Sequence, residues 1–283
     1  MRLDKFLADM GVGSRSDLKK AIRKSLVTVN GAVEKDPGAQ VSAEDHICFD
    51  GAEIRYAEQQ YYMLHKPAGV LSASEDRRQT TVVDLINLND ELVRKDLFPV
   101  GRLDKDTEGL LIITNDGPLA HQLLVPKHHI DKTYYAIVTG TITEDDQRAF
   151  TRGIRYDEKL TALPATLRVL STGKTVADLR RELGFTATSE RLLRTRLAGP
   201  AFIGAEEPAD ITEDRLVSEV EITIQEGKFH QIKKMVKALP GGKEILYLRR
   251  ITMGALRLDP NLAPGEFRKL SEDEIKILKK ETE

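Results

Sequence analysis

A polar loop at residues 101–108 carries three acids and two bases, and it leads directly into the apolar run at 110–113. The apolar run predicts a buried strand, and a loop held by a buried strand can present a side chain to a ligand in a fixed position. Asp104 stands in such a place, and an ionised carboxylate can act as a nucleophile or as a general base. The simpler interpretation is a charged surface loop whose acids serve turns, which is the more common case for an arbitrary sequence.

A metal site is the other chemistry that this loop suggests, because Asp106 and Asp116 lie close to Asp104 in the sequence. Asp116, however, stands in an Asn-Asp-Gly sequence, where an acid usually accepts hydrogen bonds from the backbone. None of the six histidines has the spacing of a zinc site, and the single cysteine, Cys48, excludes a cysteine cluster and an internal disulfide. We therefore predict no metal site, and we expect Asp106 to lie outside any reaction at Asp104.

Strand and helix patterns elsewhere predict the elements that would position this loop. Residues 61–64, 110–114 and 133–138 are strand-like, and residues 218–225 alternate apolar and polar side chains. A helix is predicted at 230–239, where Pro240 ends it, and another begins at Ser271 with Glu274 as its capping partner. Because strands and helices do not alternate regularly, the pattern favours an α+β fold.

Residues 1–58 have a pattern of their own, with two short helices followed by a hairpin. Leu3, Phe6 and Leu7 recur at helical spacing, and the pair Asn30-Gly31 between apolar residues is a strong hairpin signal. The second helix carries the cations Arg15, Lys19, Lys20, Arg23 and Lys24. A polar bridge at 57–60 follows, so we predict a small domain at 1–58 and a larger one at 60–283. The basic helix indicates a surface that faces phosphates.

The segment 100–117 resembles the signature of the pseudouridine synthases, in the group formed by ribosomal small-subunit synthase A and large-subunit synthases B, E and F. The shared pattern is Gly-Arg-Leu-Asp-x-x-Thr-x-Gly-Leu-Leu-x-x-Thr-x-Asp-Gly. Segments 63–69, 126–134, 226–235 and 262–270 resemble further motifs of the group, in the same order. Residues 1–58 are similar to the S4 RNA-binding domain that precedes the catalytic domain. The resemblance implies a mixed, largely antiparallel catalytic sheet.

The resemblance also implies a role for several side chains. Asp104 would be the catalytic group, as a nucleophile or as a base on the ribose. Tyr134 would stack on the flipped uracil, and Lys233 would pair with the acid and favour its charged form. Arg102 would hold a phosphate or fill the space that the base leaves. Without the resemblance, Tyr134 would be half-buried core and Lys233 part of a solvated helix face.

The implied reaction breaks the C1′–N1 bond of uridine, rotates the base and rejoins it through C5, which requires no cofactor. The resemblance is nearest to the small-subunit enzyme, so the expected partner is 16S rRNA or a small-subunit assembly intermediate, with uridine-516 as the candidate position. Lys228 and Lys234 are expected to bind this RNA together with the S4 helix. The alternatives are a 23S rRNA synthase of the same group and a non-catalytic S4-containing assembly protein. The presence of Asp104, Tyr134 and Lys233 together disfavours the latter.

The chain departs from the group's pattern at about 172–215, where it contains an insertion that begins basic and turns acidic. This segment is either an RNA-facing flap or a surface loop without function. The net charge of −2 argues neither for nor against RNA binding, because basic segments can lie within a near-neutral total. No apolar run is long enough to span a membrane, so we expect a cytoplasmic protein, and we expect a monomer.

Overall fold

Two β-sheets organise the chain. The computed structural model describes residues 1–42, 44–54, 59–87, 96–158, 160–183 and 212–281. Within these residues, a four-stranded sheet is built from positions 27–54 and a nine-stranded sheet from positions 61–269. Helices and strands follow one another without a regular βαβ repeat, so the predicted α+β fold is confirmed.

The N-terminal sheet packs against two short helices, as the sequence predicted. Its elements are α1 (Leu3–Asp9), α2 (Arg15–Arg23), β1 (Val27–Val29), β2 (Ala32–Val33), β3 (Ile47–Phe49) and β4 (Ala52–Ile54). Ser14 caps α2 by accepting a hydrogen bond from the Asp17 amide. Asn30 and Gly31 both have positive φ, of 52° and 82°, which is the conformation that a two-residue hairpin turn requires. Leu3, Phe6 and Leu7 are fully buried and pack with Val27 and Ile47 in one apolar cluster.

The larger sheet is mixed and almost entirely antiparallel. Its strands are β5 (Tyr61–Lys66), β6 (Phe98–Pro99), β7 (Glu108–Thr114), β8 (Lys132–Thr139), β9 (Thr166–Thr175), β10 (Leu216–Ile224), β11 (Ile245–Met253), β12 (Leu256–Arg257) and β13 (Phe267–Lys269). The main order is β13-β5-β7-β11-β8-β10-β9, with β6 paired to β7 and β12 to β11. Among the described strands, only β7 and β11 pair in parallel, so the predicted largely antiparallel sheet is confirmed.

Six helices accompany this sheet in the described part of the chain. They are α3 (Val82–Asn87), α4 (Gly117–Leu124), α5 (Glu144–Arg152), α6 (Val176–Leu183), α7 (Gln231–Lys237) and α8 (Glu272–Lys280). Asp116 caps α4 by accepting from the Leu119 amide, so it serves the backbone as its Asn-Asp-Gly context predicted. The predicted capping box of Ser271 and Glu274 opens α8. None of the described helices is long and apolar enough to cross a membrane.

Strand β7 lies in the interior and is buried on both faces, which explains its continuous apolar sequence. Leu111 and Ile113 pack into one apolar cluster, and Leu110 and Ile112 pack into a second. We call the first the site-side core, because it contains Leu103 and Ile232, which precede Asp104 and Lys233 in the sequence. Tyr134 also belongs to it.

Gly109 allows β7 to approach β11 at their parallel junction. It has a φ of 105° and pairs with Arg250, and a Cβ at this position would overlap the backbone carbonyl oxygen of Arg250. A residue other than glycine would therefore have to separate the two strands or adopt a strained backbone. The close packing of β7 against β11 therefore explains the glycine at this position of the signature, next to the candidate catalytic loop.

The predicted domain boundary lies between residues 58 and 60, next to residues 55–58, which lie outside the described residues, and it stays a prediction. The insertion at 172–215 begins by lengthening β9 to Thr175, which pairs with Leu216, and continues into α6. The arginines Arg191, Arg194 and Arg196 and most of its acidic part lie outside the described residues.

Candidate active site

The loop that carries Asp104 is fixed on both sides of that residue. Leu103 is buried in the site-side core, its amide donates to Ser72 Oγ at 3.1 Å, and Ser72 Oγ donates back to the Leu103 carbonyl at 2.8 Å. On the other side, the Thr107 amide donates to the Asp104 carbonyl at 3.1 Å and closes a turn. The Asp104 side chain is 27% exposed, so the scaffold presents a carboxylate that a ligand can reach.

The fully buried side chain of Lys66 contacts the backbone of this turn. The Lys66 ammonium group donates to the carbonyl oxygens of Pro67 at 3.0 Å, Lys105 at 3.3 Å and Thr107 at 3.0 Å. It therefore joins the end of β5 to the loop of Asp104. Burial lowers the pKa of Lys66 to about 8, although the carboxylates of the loop act in the opposite direction. Lys66 lies in the segment 63–69 that resembles a motif of the group, but the sequence did not indicate its function. The reason is that its contacts with the loop join segments about forty residues apart.

The lowered pKa of Lys66 predicts a pH-dependent contribution to stability. Between about pH 8 and the ordinary lysine value of 10.5, the folded protein has released this proton while the unfolded chain still binds it. The contribution of Lys66 to the free energy of unfolding should therefore rise with pH in that window. Urea unfolding of the wild type and of Lys66→Met at pH 7.5 and 9.5 measures this. The wild type should gain about 2 kcal/mol relative to the variant, and a constant or shrinking difference would contradict it.

Lys233 bridges two carboxylates of the loop. Its Nζ lies 3.0 Å from Asp104 Oδ2 and 2.6 Å from Asp106 Oδ1. Ile232, the preceding residue on α7, is buried in the site-side core and fixes the helix face from which the lysine extends. The contact between Asp104 and Lys233 that the resemblance implied is thus present. Asp106 shares the same cation, and the expectation that it lies outside the reaction stays a prediction.

His230 is a further group at the site that the sequence interpretation missed. Its Nε2 lies 3.7 Å from Asp104 Oδ1, and its backbone has a φ of 52° just before α7 begins. The spacing contained a signal, since residues three apart at the start of a helix share a face and Lys233 follows His230 by three. A protonated His230 would add a second positive charge beside Asp104.

Tyr134 is buried, whereas the Arg102 side chain is exposed. Tyr134 is only 7% exposed in β8 and belongs to the same site-side core as Leu103. The side chain is therefore largely covered by protein, and its stacking role stays a prediction. The Arg102 side chain is exposed beside buried Leu103, where a phosphate could reach it.

The cations of α2 gather around a surface depression of about 760 Å³. Its lining residues are Arg2, Arg15, Ser16, Lys19, Lys20 and Arg23. Asp4 lies beneath them, fully buried, and contacts Arg2 at 3.1 Å, Arg15 at 3.3 Å and Lys19 at 3.8 Å. The hydrogen bond from Arg2 is the main reason why the pKa of Asp4 is lowered. Arg2 was not predicted, because it lies outside the basic helix, and Lys24 is exposed at the end of that helix.

The two other predicted RNA-binding lysines lie on either side of Phe229. Lys228 Nζ is 3.0 Å from Glu226 Oε2, and this hydrogen-bonded carboxylate raises the pKa of the lysine. Lys234 Nζ is 3.9 Å from Asp157 Oδ2 and 5.6 Å from the centre of the Phe229 ring. Both are therefore already neutralised in part by carboxylates. No group of three metal-ligating side chains occurs within the described residues.

Comparison with known proteins identifies the family. Residues 60–238 match the profile of the RNA pseudouridylate synthases, and residues 1–47 match that of the S4 domain. The chain belongs to the RNA pseudouridylate synthase family. In this family setting, Asp104 and its surroundings lie within the matched catalytic region, and the basic depression lies within the matched S4 region.

Several pseudouridine synthases are similar to this chain over nearly their full length. An RNA pseudouridine synthase of Bacillus subtilis that is named as uncharacterized is 38% identical, with 98% of each chain covered. The ribosomal small subunit pseudouridine synthase A of Pasteurella multocida is 33% identical, covering 99% of this chain and all of that one. The ribosomal large subunit pseudouridine synthase B of Bacillus subtilis is also 33% identical, covering 98% and 95%. A crystal structure of a pseudouridylate synthase superposes with a TM-score of 0.58 at 32% identity, covering 98% and 99%.

Proposed function

We propose that the protein converts uridine-516 of 16S rRNA into pseudouridine, with Asp104 as its single catalytic carboxylate. The observation that carries the proposal is the partly exposed Asp104 carboxylate, held by a fixed turn and in contact with Lys233 inside the matched catalytic region. Lys233 forms an ion pair with Asp104 and orients its carboxylate, which both possible roles of Asp104 require. Arg102 and Tyr134 would contact the RNA around it.

The chemistry is an isomerisation, so no atom is gained or lost overall. The C1′–N1 bond of the uridine breaks, the uracil rotates, and a C1′–C5 bond forms. The C5 hydrogen leaves as a proton, and N1 gains one. Asp104 either attacks C1′ as a nucleophile, in a bond that breaks again when C5 bonds to C1′, or removes a proton from the ribose as a base and later returns it. In both cases the uridine must leave its stack before the carboxylate can reach it.

The choice of 16S rRNA rests on resemblance rather than on overall identity. A small-subunit synthase A and a large-subunit synthase B are equally similar to this chain, at 33% identity each. The C-terminal segment 262–270, which is like that of the small-subunit enzyme, favours 16S rRNA or a small-subunit assembly intermediate. A 23S rRNA target is the second candidate, because the large-subunit relative is similar in sequence over almost its whole length.

Pseudouridine mapping in rRNA from cells with and without the gene tests this proposal directly. Loss of the modification at uridine-516 alone would support it. Loss at a position of 23S rRNA would establish the second candidate instead. If no pseudouridine disappears from either rRNA, the assignment to rRNA is wrong.

We further propose a cytoplasmic monomer with an RNA-binding domain at 1–58 and a catalytic domain at 60–283.

The S4 depression is expected to bind phosphates without reading bases. Replacing Arg15, Lys19 and Lys20 with glutamine should weaken binding of all RNAs and lower the steepness of its salt dependence. Each lost phosphate contact should reduce the slope of log affinity against log salt by about 0.7 to 0.9. Fluorescence anisotropy at several salt concentrations measures the slope. Lys276→Gln in α8 is the control, and a triple variant with the wild-type slope would show that this surface does not face RNA.

A further inference from the structure

Phe229 is a large aromatic side chain that the fold leaves open to solvent beside the candidate active site. It is 71% exposed, and no other large apolar side chain in the described part of the chain is exposed to that extent. A single exposed apolar residue is common on protein surfaces and requires no function. Phe229 differs because its ring is held in place. It stacks on the imidazole of His230 with the ring centres 3.8 Å apart and the planes 19° from parallel.

The same stack leads to the catalytic carboxylate. His230 carries Phe229 on its ring, while its Nε2 lies 3.7 Å from Asp104 Oδ1. The φ of 52° at His230 places both rings just before α7, the helix that also supplies Lys233. Lys234 Nζ lies 5.6 Å from the centre of the Phe229 ring. The His230 imidazole thus lies between the Phe229 ring and Asp104, and the Lys234 cation lies near that ring.

We propose that Phe229 is a stacking site for a nucleobase of the RNA strand that carries the target uridine. This inference rests on the proposed function, since it assumes that the RNA reaches Asp104. When the uridine leaves the helix, its neighbours lose a stacking partner, and an aromatic side chain at that place can replace it. A ring recognises any base through its π-face, while Lys234 attracts the adjoining phosphate. Phe229 therefore stacks on a base that neighbours the target uridine, and not on the target base itself.

A tryptophan at this position can report the stacking, because the natural chain contains none. Phe229→Trp keeps a flat aromatic ring and introduces a unique fluorophore. Its emission should be strongly quenched when the 16S rRNA stem-loop around uridine-516 binds, because a stacked base lies directly on the indole. Ile277→Trp is the matched control, since Ile277 is 41% exposed on α8. Emission of Phe229→Trp that does not change on binding would overturn the proposal.

A second variant tests the energy of the contact. Phe229→Leu keeps an apolar side chain but removes the flat ring, and it should bind the stem-loop about tenfold more weakly, the usual effect of losing one base-stacking side chain. Phe229→Trp should retain the wild-type affinity. RNAs with one abasic nucleotide at successive positions beside the target locate the base, because at the stacked position the abasic change and Phe229→Leu should not be additive.

The outcomes separate this inference from the function on which it rests. If the wild type modifies the stem-loop and Phe229→Leu binds it with unchanged affinity, the stacking site is wrong and the enzyme assignment stands. If Phe229→Leu loses activity only on assembled subunits while binding naked RNA normally, Phe229 contacts a protein and the proposal is overturned. If the wild type neither binds nor modifies any rRNA, the proposed function fails and the stacking site with it.

Discussion

Replacing Asp104 with asparagine is expected to abolish pseudouridine formation and to leave RNA binding close to that of the wild type. The amide keeps the size of the side chain, so the turn closed by Thr107 and the anchor at Leu103 should persist. An amide carries no charge and can act neither as a nucleophile nor as a base of comparable strength. The rate should fall by about 10⁴-fold or more, as it does when other enzymes lose a reacting group.

The measurement for Asp104→Asn pairs an affinity assay with quantification of pseudouridine in the same RNA. A matched control removes one negative charge elsewhere, and Asp273→Asn on the exposed face of α8 serves this purpose. Asp106→Asn is unsuitable as the control because Asp106 contacts Lys233. Wild-type rates for Asp104→Asn would remove Asp104 from the mechanism. A large loss of RNA affinity would assign it to binding instead.

The second large effect is expected from Lys233→Met, which removes the cation between two carboxylates. Asp104 and Asp106 both contact Lys233, at 3.0 Å and 2.6 Å. Without it the two carboxylates face each other with no cation between them, and the contact that orients Asp104 is lost. We expect the single-turnover rate to fall about 100-fold, the effect of losing one preorganised electrostatic contact.

Asp106→Asn separates this charge effect from a general disturbance of the loop. As a single substitution, it leaves the contact between Lys233 and Asp104 in place and should change the rate by less than about tenfold. Combined with Lys233→Met, it removes the repelling carboxylate and should recover part of the lost rate, so the two substitutions should not be additive. Single-turnover rates of the four proteins measure this. Additive effects would contradict a shared cation.

Local features of the fold could be predicted from the sequence because their causes are local. The Asn30-Gly31 turn, the Asp116 cap and the Ser271–Glu274 capping box depend on neighbouring residues, and all three are present. The alternating pattern of 218–225 corresponds to β10, with Val220 and Ile222 in the site-side core. These elements carry their periodicity and punctuation in the sequence itself.

The contacts that build the site could not be predicted in the same way, because they join distant parts of the chain. Lys66 reads as the end of an apolar strand, and only the folded chain shows that its ammonium group binds three carbonyls around the Asp104 turn. Asp106 reads as a turn acid, yet its partner Lys233 lies 127 residues further on. The resemblance supplied Asp104 and Lys233, whereas Asp106, His230 and Phe229 depend on geometry that no short pattern specifies.

The most direct test of the central claim is tritium release from rRNA labelled at C5 of uracil, measured for the wild type and for Asp104→Asn under single-turnover conditions. The C5 hydrogen leaves only when C5 bonds to the ribose, so released tritium counts the reaction itself. The wild type should release tritium from 16S rRNA or immature small subunits, and Asp104→Asn should bind the same RNA and release none. Equal release by both proteins, or no release by the wild type from 16S or 23S rRNA, would contradict a pseudouridine synthase that acts through Asp104.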